Sequence, residues 1–215
     1  MFGIDHLLLA AAWIGYFAIH SLTASLGLKR WVASRGPRWM PCYRLAFNGA
    51  AGVLILPLVW FMYSLRGEWL WRWQGVGYLV ANALALAAIA GFVWSLRWYD
   101  GQEFLGLRQL REGVTAVEDQ EHLHLSPLHR YVRHPWYSLG LVIVWTRDMD
   151  PAFLLSATLI TIYFVVGSRL EERKLIAYHG EPYRRYRERV PSLIPWRGRA
   201  LSAEEAEALV GGQCH

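Results

Sequence analysis

Apolar and polar positions fall along this chain in long blocks. Ile4 to Leu28 is predominantly apolar, and as a helix it is long enough for the ~30 Å hydrocarbon core of a bilayer, which takes about 20 residues. It carries His20, Ser21, Thr23 and Ser25 near its end. A second block runs from Tyr43 to Leu65, with Pro57 as an expected kink. A third spans Gly75 to Trp98. Tyr99 to His134 is polar and too charged to lie in lipid. A fourth apolar block, Trp136 to Thr146, has only 11 residues and would extend ~16 Å as a helix. The expectation is a short packed hairpin, or a fourth helix that begins inside the polar section. Arg147, Asp148, Asp150 and Pro151 form a turn, and a fifth block returns from Ala152 to Gly167.

Beyond it, Ser168 to Arg189 has a partly apolar side (Leu170, Leu175, Ile176, Tyr183) and reads as helix, turn at Gly180-Glu181-Pro182, then helix. Val190 to Pro195 should be extended, because two prolines punctuate it. Ala200 to His215 reads as a surface helix and a loose tail. The domain reading is three N-terminal spans (1–98), a connector (99–135), a hairpin with a C-terminal segment (136–199) and a tail (200–215). The fold class is therefore all-α integral membrane, with about five transmembrane helices and a polar C-terminal segment on the cytoplasmic side.

Composition agrees: 54% of residues are apolar, 18% are charged, and there are 12 Trp and 11 Tyr. Trp69, Trp71 and Trp73 read as an interfacial belt. The formal charge of +5 does not point to nucleic acid, because the basic residues lie between apolar spans and no recognition motif accompanies them. Five Lys and Arg fall at 29–44, five at 97–133 and nine at 169–199, against Arg66, Arg72 and Arg147 on the other side. The positive-inside rule then puts the N-terminus outside and the C-terminus in the cytoplasm, in a membrane most simply read as a bacterial inner membrane. The first block lacks a basic leader and an obvious cleavage site, and reads as a retained span. Cys42 and Cys214 follow no disulfide or zinc spacing, and no metal is expected.

The candidate chemistry centres on Tyr131 to Gly140. A basic turn with Arg130, Arg133 and His134 meets Pro135, which suits the first position of a helix because its missing N–H would have no partner there. Arg133, His134 and Tyr137 could line a pocket for an anion and an aromatic ring, or simply be positive-inside residues at a helix start. Glu171, Glu172 and Arg173 follow the last span. Acids beside a membrane are costly unless paired or functional; a charged cofactor amine, or an ion pair with Arg130 or Arg133, would account for them. Tyr183 and Tyr186 fit an interfacial amphipathic helix. His20, Ser21 and Asn82 fit either interhelical hydrogen bonding or substrate contact. By composition Asp100 to Arg111 is an amphipathic loop.

The order of these motifs is more specific than any of them. Arg133-His134-Pro135-x-Tyr137, a hairpin, Glu171-Glu172-x-x-Leu175, Gly180-x-x-Tyr183-x-x-Tyr186 and Val190-Pro191-x-x-Ile194-Pro195 resemble the isoprenylcysteine carboxyl methyltransferase superfamily of membrane methyltransferases. His20-Ser21 before Lys29-Arg30-Trp31, and Phe104 to Gln109, are similar to its bacterial branch, which includes methanethiol S-methyltransferase and the NnrU-like proteins. The resemblance implies S-adenosylmethionine in a cytoplasm-facing pocket. His134, Pro135 and Tyr137 would line the cofactor, Glu171 or Glu172 would hold its amine, and Tyr183 and Tyr186 would close over it. Arg133 and Arg173 would orient a carboxylate, and His20, Ser21 and Asn82 would meet the acceptor. The acceptor would be small or lipophilic and enter from the bilayer, a thiol or a carboxylate fitting best because the sequence offers no unambiguous base. A nicotinamide-dependent membrane reductase and a non-enzymatic accessory protein stay open at this point, and so does the oligomeric state.

Overall fold

The long helices form over the apolar runs. The computed structural model describes residues 3–117, 126–196, 200–202 and 204–205. They contain eight α-helices, and the only β pairing among the described residues is an isolated bridge between Trp71 and Met149. Four helical stretches are long and apolar enough to cross a membrane: Ile4–Ala24, Pro37–Ser64, Gly75–Trp98 and Pro151–Arg189, with the shorter apolar Pro135–Trp145 beside them. The protein is an all-α integral membrane protein.

The chain divides into two compact units. One comprises residues 1–72, 99–123 and 148–159, and the other 73–98, 124–147 and 160–215.

In the first unit, α1 (Ile4–Ala24) ends earlier than the hydropathy block, which runs on to Leu28. Ser25 leaves the helical region (φ −71°, ψ 143°), and its hydroxyl accepts from the Leu28 N–H, starting α2 (Leu26–Arg35). A serine that can cap outweighs the apolar residues on either side of it. A 3₁₀ turn, Pro37–Trp39, leads into α3 (Met40–Ser64), which carries Pro57 internally. The Tyr43 hydroxyl donates to the Thr23 carbonyl at 2.6 Å, tying α3 to α1. Trp13 Nε1 donates to Ser156 Oγ at 2.8 Å.

The segment Asp100 to Arg111, expected to be a loop, folds instead as α5 (Gly101–Leu105) and α6 (Leu107–Glu112). Asp100 caps α5 by accepting from the N–H groups of Gln102 and Glu103. Gly106 joins the two helices at φ +92°, and a Cβ there would sit 2.6 Å from the backbone nitrogen of Leu45. Arg44 Nε and Asn48 Nδ2 both donate to the Phe104 carbonyl that faces this approach, at 3.1 and 2.8 Å. Composition could not reveal these helices, because their order comes from docking on α3.

In the second unit, α4 (Gly75–Ser95) packs on α7 (Pro135–Trp145). Trp136 Nε1 donates to Ser95 Oγ at 2.8 Å, and Leu139 packs beside Gly91. α7 does start at Pro135, and it does not extend back into the polar section. α8 (Pro151–Arg189) carries the fifth apolar block and the more polar residues beyond Gly167 on one helix. Gly180 interrupts it at φ 59°, ψ −132°, a conformation that glycine adopts without a Cβ penalty. Val190 to Pro195, expected to be extended, instead passes through bends at Ser192, Leu193 and Ile194. Most of the 200–215 tail lies outside the described residues; Leu201 is buried against Tyr183, Tyr186 and Val190.

Candidate active site

Residues 130–137 and the C-terminal part of α8 both belong to the second unit, and the structure brings them together. Pro135 at the first position of α7 leaves Arg133 and His134 just outside the helix, with backbone donors that need partners. The segment after α8 supplies them: Arg133 N–H donates to Pro191 O at 2.9 Å and His134 N–H to Ser192 O at 3.1 Å. One turn into α7, Ser138 Oγ donates to Leu193 O at 2.5 Å. The hinge and the closing segment are thus one backbone-paired structure.

Side chains continue the pattern. Arg133 Nε and Nη2 donate to Glu172 Oε1 at 2.8 and 2.6 Å. Arg133 Nη1 donates to the carbonyls of Arg187 and Val190. His134 Nε2 donates to the same Glu172 oxygen at 3.1 Å. Ser192 Oγ lies 3.4 Å from that oxygen and 3.5 Å from Ser168 Oγ. The Arg133 and Glu172 side chains are 10% and 7% exposed, so the pair is shielded and its geometry well specified.

Glu171 is placed differently. Adjacent helical residues point about 100° apart, and the Glu171 side chain is 44% exposed. The Tyr137 hydroxyl donates to its Oε2 at 3.1 Å, and His134 Nδ1 lies 3.6 Å from the same atom. Among the described residues Oε1 of Glu171 has no hydrogen-bond partner. Three rings stand in a column beside it. His134 and Tyr137 stack at 5.4 Å with 8° between planes, and Tyr137 and Phe164 at 4.7 Å with 9°. Gly140 keeps Phe164 in place, since a Cβ there would be 3.1 Å from its ring.

Tyr183 and Tyr186 are buried, edge to face at 5.6 Å, and Tyr186 donates its hydroxyl to the His129 carbonyl at 2.7 Å. His129 in turn accepts the Ser126 N–H on Nδ1 at 2.9 Å. Burial pulls the His129 imidazole from its ordinary 6.5 down to about 4, against the raising effect of its bond with Ser126 and with a smaller lowering from nearby His134. Arg173 is exposed and outside this set of hydrogen bonds.

Of the remaining sequence candidates, Asn82 lies in the second unit, where it accepts from Arg147 Nη1 at 3.2 Å and donates to Tyr78 O at 2.8 Å. His20 and Ser21 lie in the first unit, with His20 against Tyr16 and Phe47 at ring distances of 6.0 and 4.9 Å. Sequence reasoning did not single out Phe164, Ser168, Ser138 or Ser192. A signal existed for two of them: Phe164, Ser168, Glu171 and Glu172 follow the i, i+4, i+7, i+8 spacing of one helical face. Among the described residues no group of three or more His, Cys, Asp or Glu could hold a metal ion.

The class this defines is an all-α integral membrane protein whose α7 start and α8 are joined by a buried arginine–glutamate pair with a half-exposed carboxylate beside it. The chain is similar to several curated enzymes, including the following three. It is 30% identical to the methanethiol S-methyltransferase of Crocosphaera subtropica over 91% of this chain and 77% of the relative. It is 34% identical to that of Mycobacterium tuberculosis over 85% and 75%, and 32% identical to methanethiol S-methyltransferase 2 of Bradyrhizobium diazoefficiens over 83% and 69%. No protein-family profile and no solved structure matches the chain. The chain belongs to the methanethiol S-methyltransferase family, and it is an integral membrane methyltransferase.

Proposed function

We propose that this methyltransferase moves a methyl group from S-adenosylmethionine to a small thiol, with methanethiol, the acceptor in its relatives' names, as the first candidate. The observation that carries the cofactor reading is the half-exposed Glu171 carboxylate, one oxygen held by Tyr137 and the other without a partner among the described residues. An anionic acceptor of this kind fits the cofactor's ammonium. When bound, the cofactor supplies an activated methyl group on a positively charged sulfur.

The chain's own residues then orient and shield. Glu171 and Tyr137 hold the amine, and His134 and Pro135 form the wall above the start of α7. Tyr183 and Tyr186 back that wall from their buried positions. Arg133 acts as a positioning residue, because its donors are occupied by Glu172 and two carbonyls. Glu172, which takes those bonds, is likewise assigned to holding the hinge. The exposed Arg173 is assigned to a carboxylate of cofactor or substrate, and His20, Ser21 and Asn82 to the path of the acceptor. A free thiol with pKa ~8.5 costs roughly 2 kcal/mol to ionise at pH 7, and the positive end of the α7 dipole favours the anion. Alignment and exclusion of water provide the rest. In the topology we assign, the N-terminus is outside and the site faces the cytoplasm across a bacterial inner membrane, where an apolar, volatile acceptor arrives through lipid.

The test is headspace gas chromatography on proteoliposomes given S-adenosylmethionine and methanethiol. Dimethyl sulfide that requires both reagents is the expected product. Cofactor binding by calorimetry without any methylated thiol would overturn the acceptor, and no binding would overturn the site.

A further inference from the structure

Between the first two spans the chain builds an elbow that neither the site nor the reaction uses. α2 has ten residues and is ~15 Å long, so it cannot cross the bilayer. Its neighbours, Ile4–Ala24 and Pro37–Ser64, are both long enough to do so. The elbow therefore lies at a membrane boundary.

Its exposure is one-sided. Gly27, Arg30, Trp31, Ser34 and Arg35 are exposed, while Leu26, Leu28, Lys29, Val32 and Ala33 are partly or fully buried. The exposed positions follow helical spacing, so they form one stripe. Pro37, Arg38 and Trp39 continue it past the end of the helix. Trp31 and Trp39 are 58% and 59% exposed, and the Arg38 guanidinium lies 5.2 Å from the Trp39 ring centroid. No Asp or Glu occurs between Asp5 and Glu68, and the exposed Arg35 and Arg38 add two positive charges to this face.

We infer that the α2 elbow is a docking surface for anionic glycerophospholipid headgroups. Guanidinium groups match the phosphate diester by two-point hydrogen bonding. Exposed indoles suit the headgroup level, where one edge meets hydrocarbon and the other water. Charge complementarity selects the anionic lipid over the zwitterionic one, each basic group near such a surface being worth about 1 kcal/mol, a roughly fivefold preference.

The test uses the full-length protein in nanodiscs of phosphatidylcholine doped with a photoreactive phosphatidylglycerol or, in a parallel set, a photoreactive phosphatidylcholine. Mass spectrometry maps the adducts. Residues 31–39 should be labelled about fivefold more by the glycerol lipid. Arg35→Gln with Arg38→Gln should bring the labelling ratio of the two lipids close to one, and raised salt should do the same to the unmodified protein. Equal labelling by both lipids overturns the inference. So does a preference that survives both the double substitution and salt. The salt series on the natural sequence decides the matter even if the variant fails to fold.

Discussion

Arg133 and Glu172 stand 39 positions apart in the chain and meet through two guanidinium hydrogen bonds to one carboxylate oxygen. A shielded pair of this kind is costly to break from one side, because the surviving charge keeps its burial and loses its partner. Glu172→Gln is expected to lower unfolding stability by about 3–5 kcal/mol. Replacing both residues with apolar ones of similar size should cost less than either single change. Thermal unfolding in detergent micelles of the four-member set measures this; equal Tm values across the set would contradict it.

Glu171 sits one residue away and should behave in the opposite manner. Glu171→Gln is expected to leave Tm within a degree or two and to weaken S-adenosylmethionine binding by about 10- to 100-fold, as loss of a charged hydrogen bond does. Tyr137→Phe removes only the neutral donor to that carboxylate, so the loss should be roughly 3- to 10-fold. Isothermal titration on the purified variants separates these outcomes from the stability effect predicted for Glu172.

The His129 imidazole predicts a pH dependence. It accepts the Ser126 N–H, and its pKa falls from 6.5 to about 4 in the folded protein. The unfolded chain therefore binds the extra proton first, and stability rises with pH across this window. The contribution is whole above pH 6.5 and is lost as pH falls towards 4. The ring is partly exposed, so the loss should be roughly 1–3 kcal/mol. His129→Gln should flatten that part of the Tm-against-pH curve, and an unchanged slope would refute the assignment.

Two glycines of similar backbone conformation should respond unequally. Gly106 and Gly113 both have positive φ, but a Cβ at Gly106 would meet Leu45 N at 2.6 Å, whereas one at Gly113 would meet nothing within 4 Å. Gly113→Ala should cost about 1 kcal/mol from conformation alone. Gly106→Ala should cost about 3 kcal/mol or more, because backbone must also shift. Denaturation midpoints of the two variants check the difference.

Much of the second unit was legible in the sequence because backbone rules set it. Pro135 fixed where α7 begins and Gly180 where α8 bends, whereas the prolines at 191 and 195 did not reveal the bends between them. Hydropathy gave the long helices but missed the break at Ser25, since one hydroxyl that caps the next helix carries no weight in an apolar average. The sequence brought Arg133, His134 and the two glutamates into consideration without saying which glutamate met which partner. That choice depends on the roughly 100° between neighbouring side chains on α8, and so on the rotation of the helix, which only packing determines. α5 and α6 were invisible for a related reason: each is under two turns long and has no stability apart from its seat on α3.

The pairing of Arg133 and His134 with Pro191 and Ser192 bears on how the molecule is made. A ribosome delivers the hinge first, the glutamate 39 residues later and these carbonyl acceptors later still. Through that interval the start of α7 has backbone donors and a guanidinium with no native partners, so the nascent hairpin is incomplete as a binding surface. The hinge is satisfied only once residues 191–193 have docked, so this part of the fold closes late in synthesis.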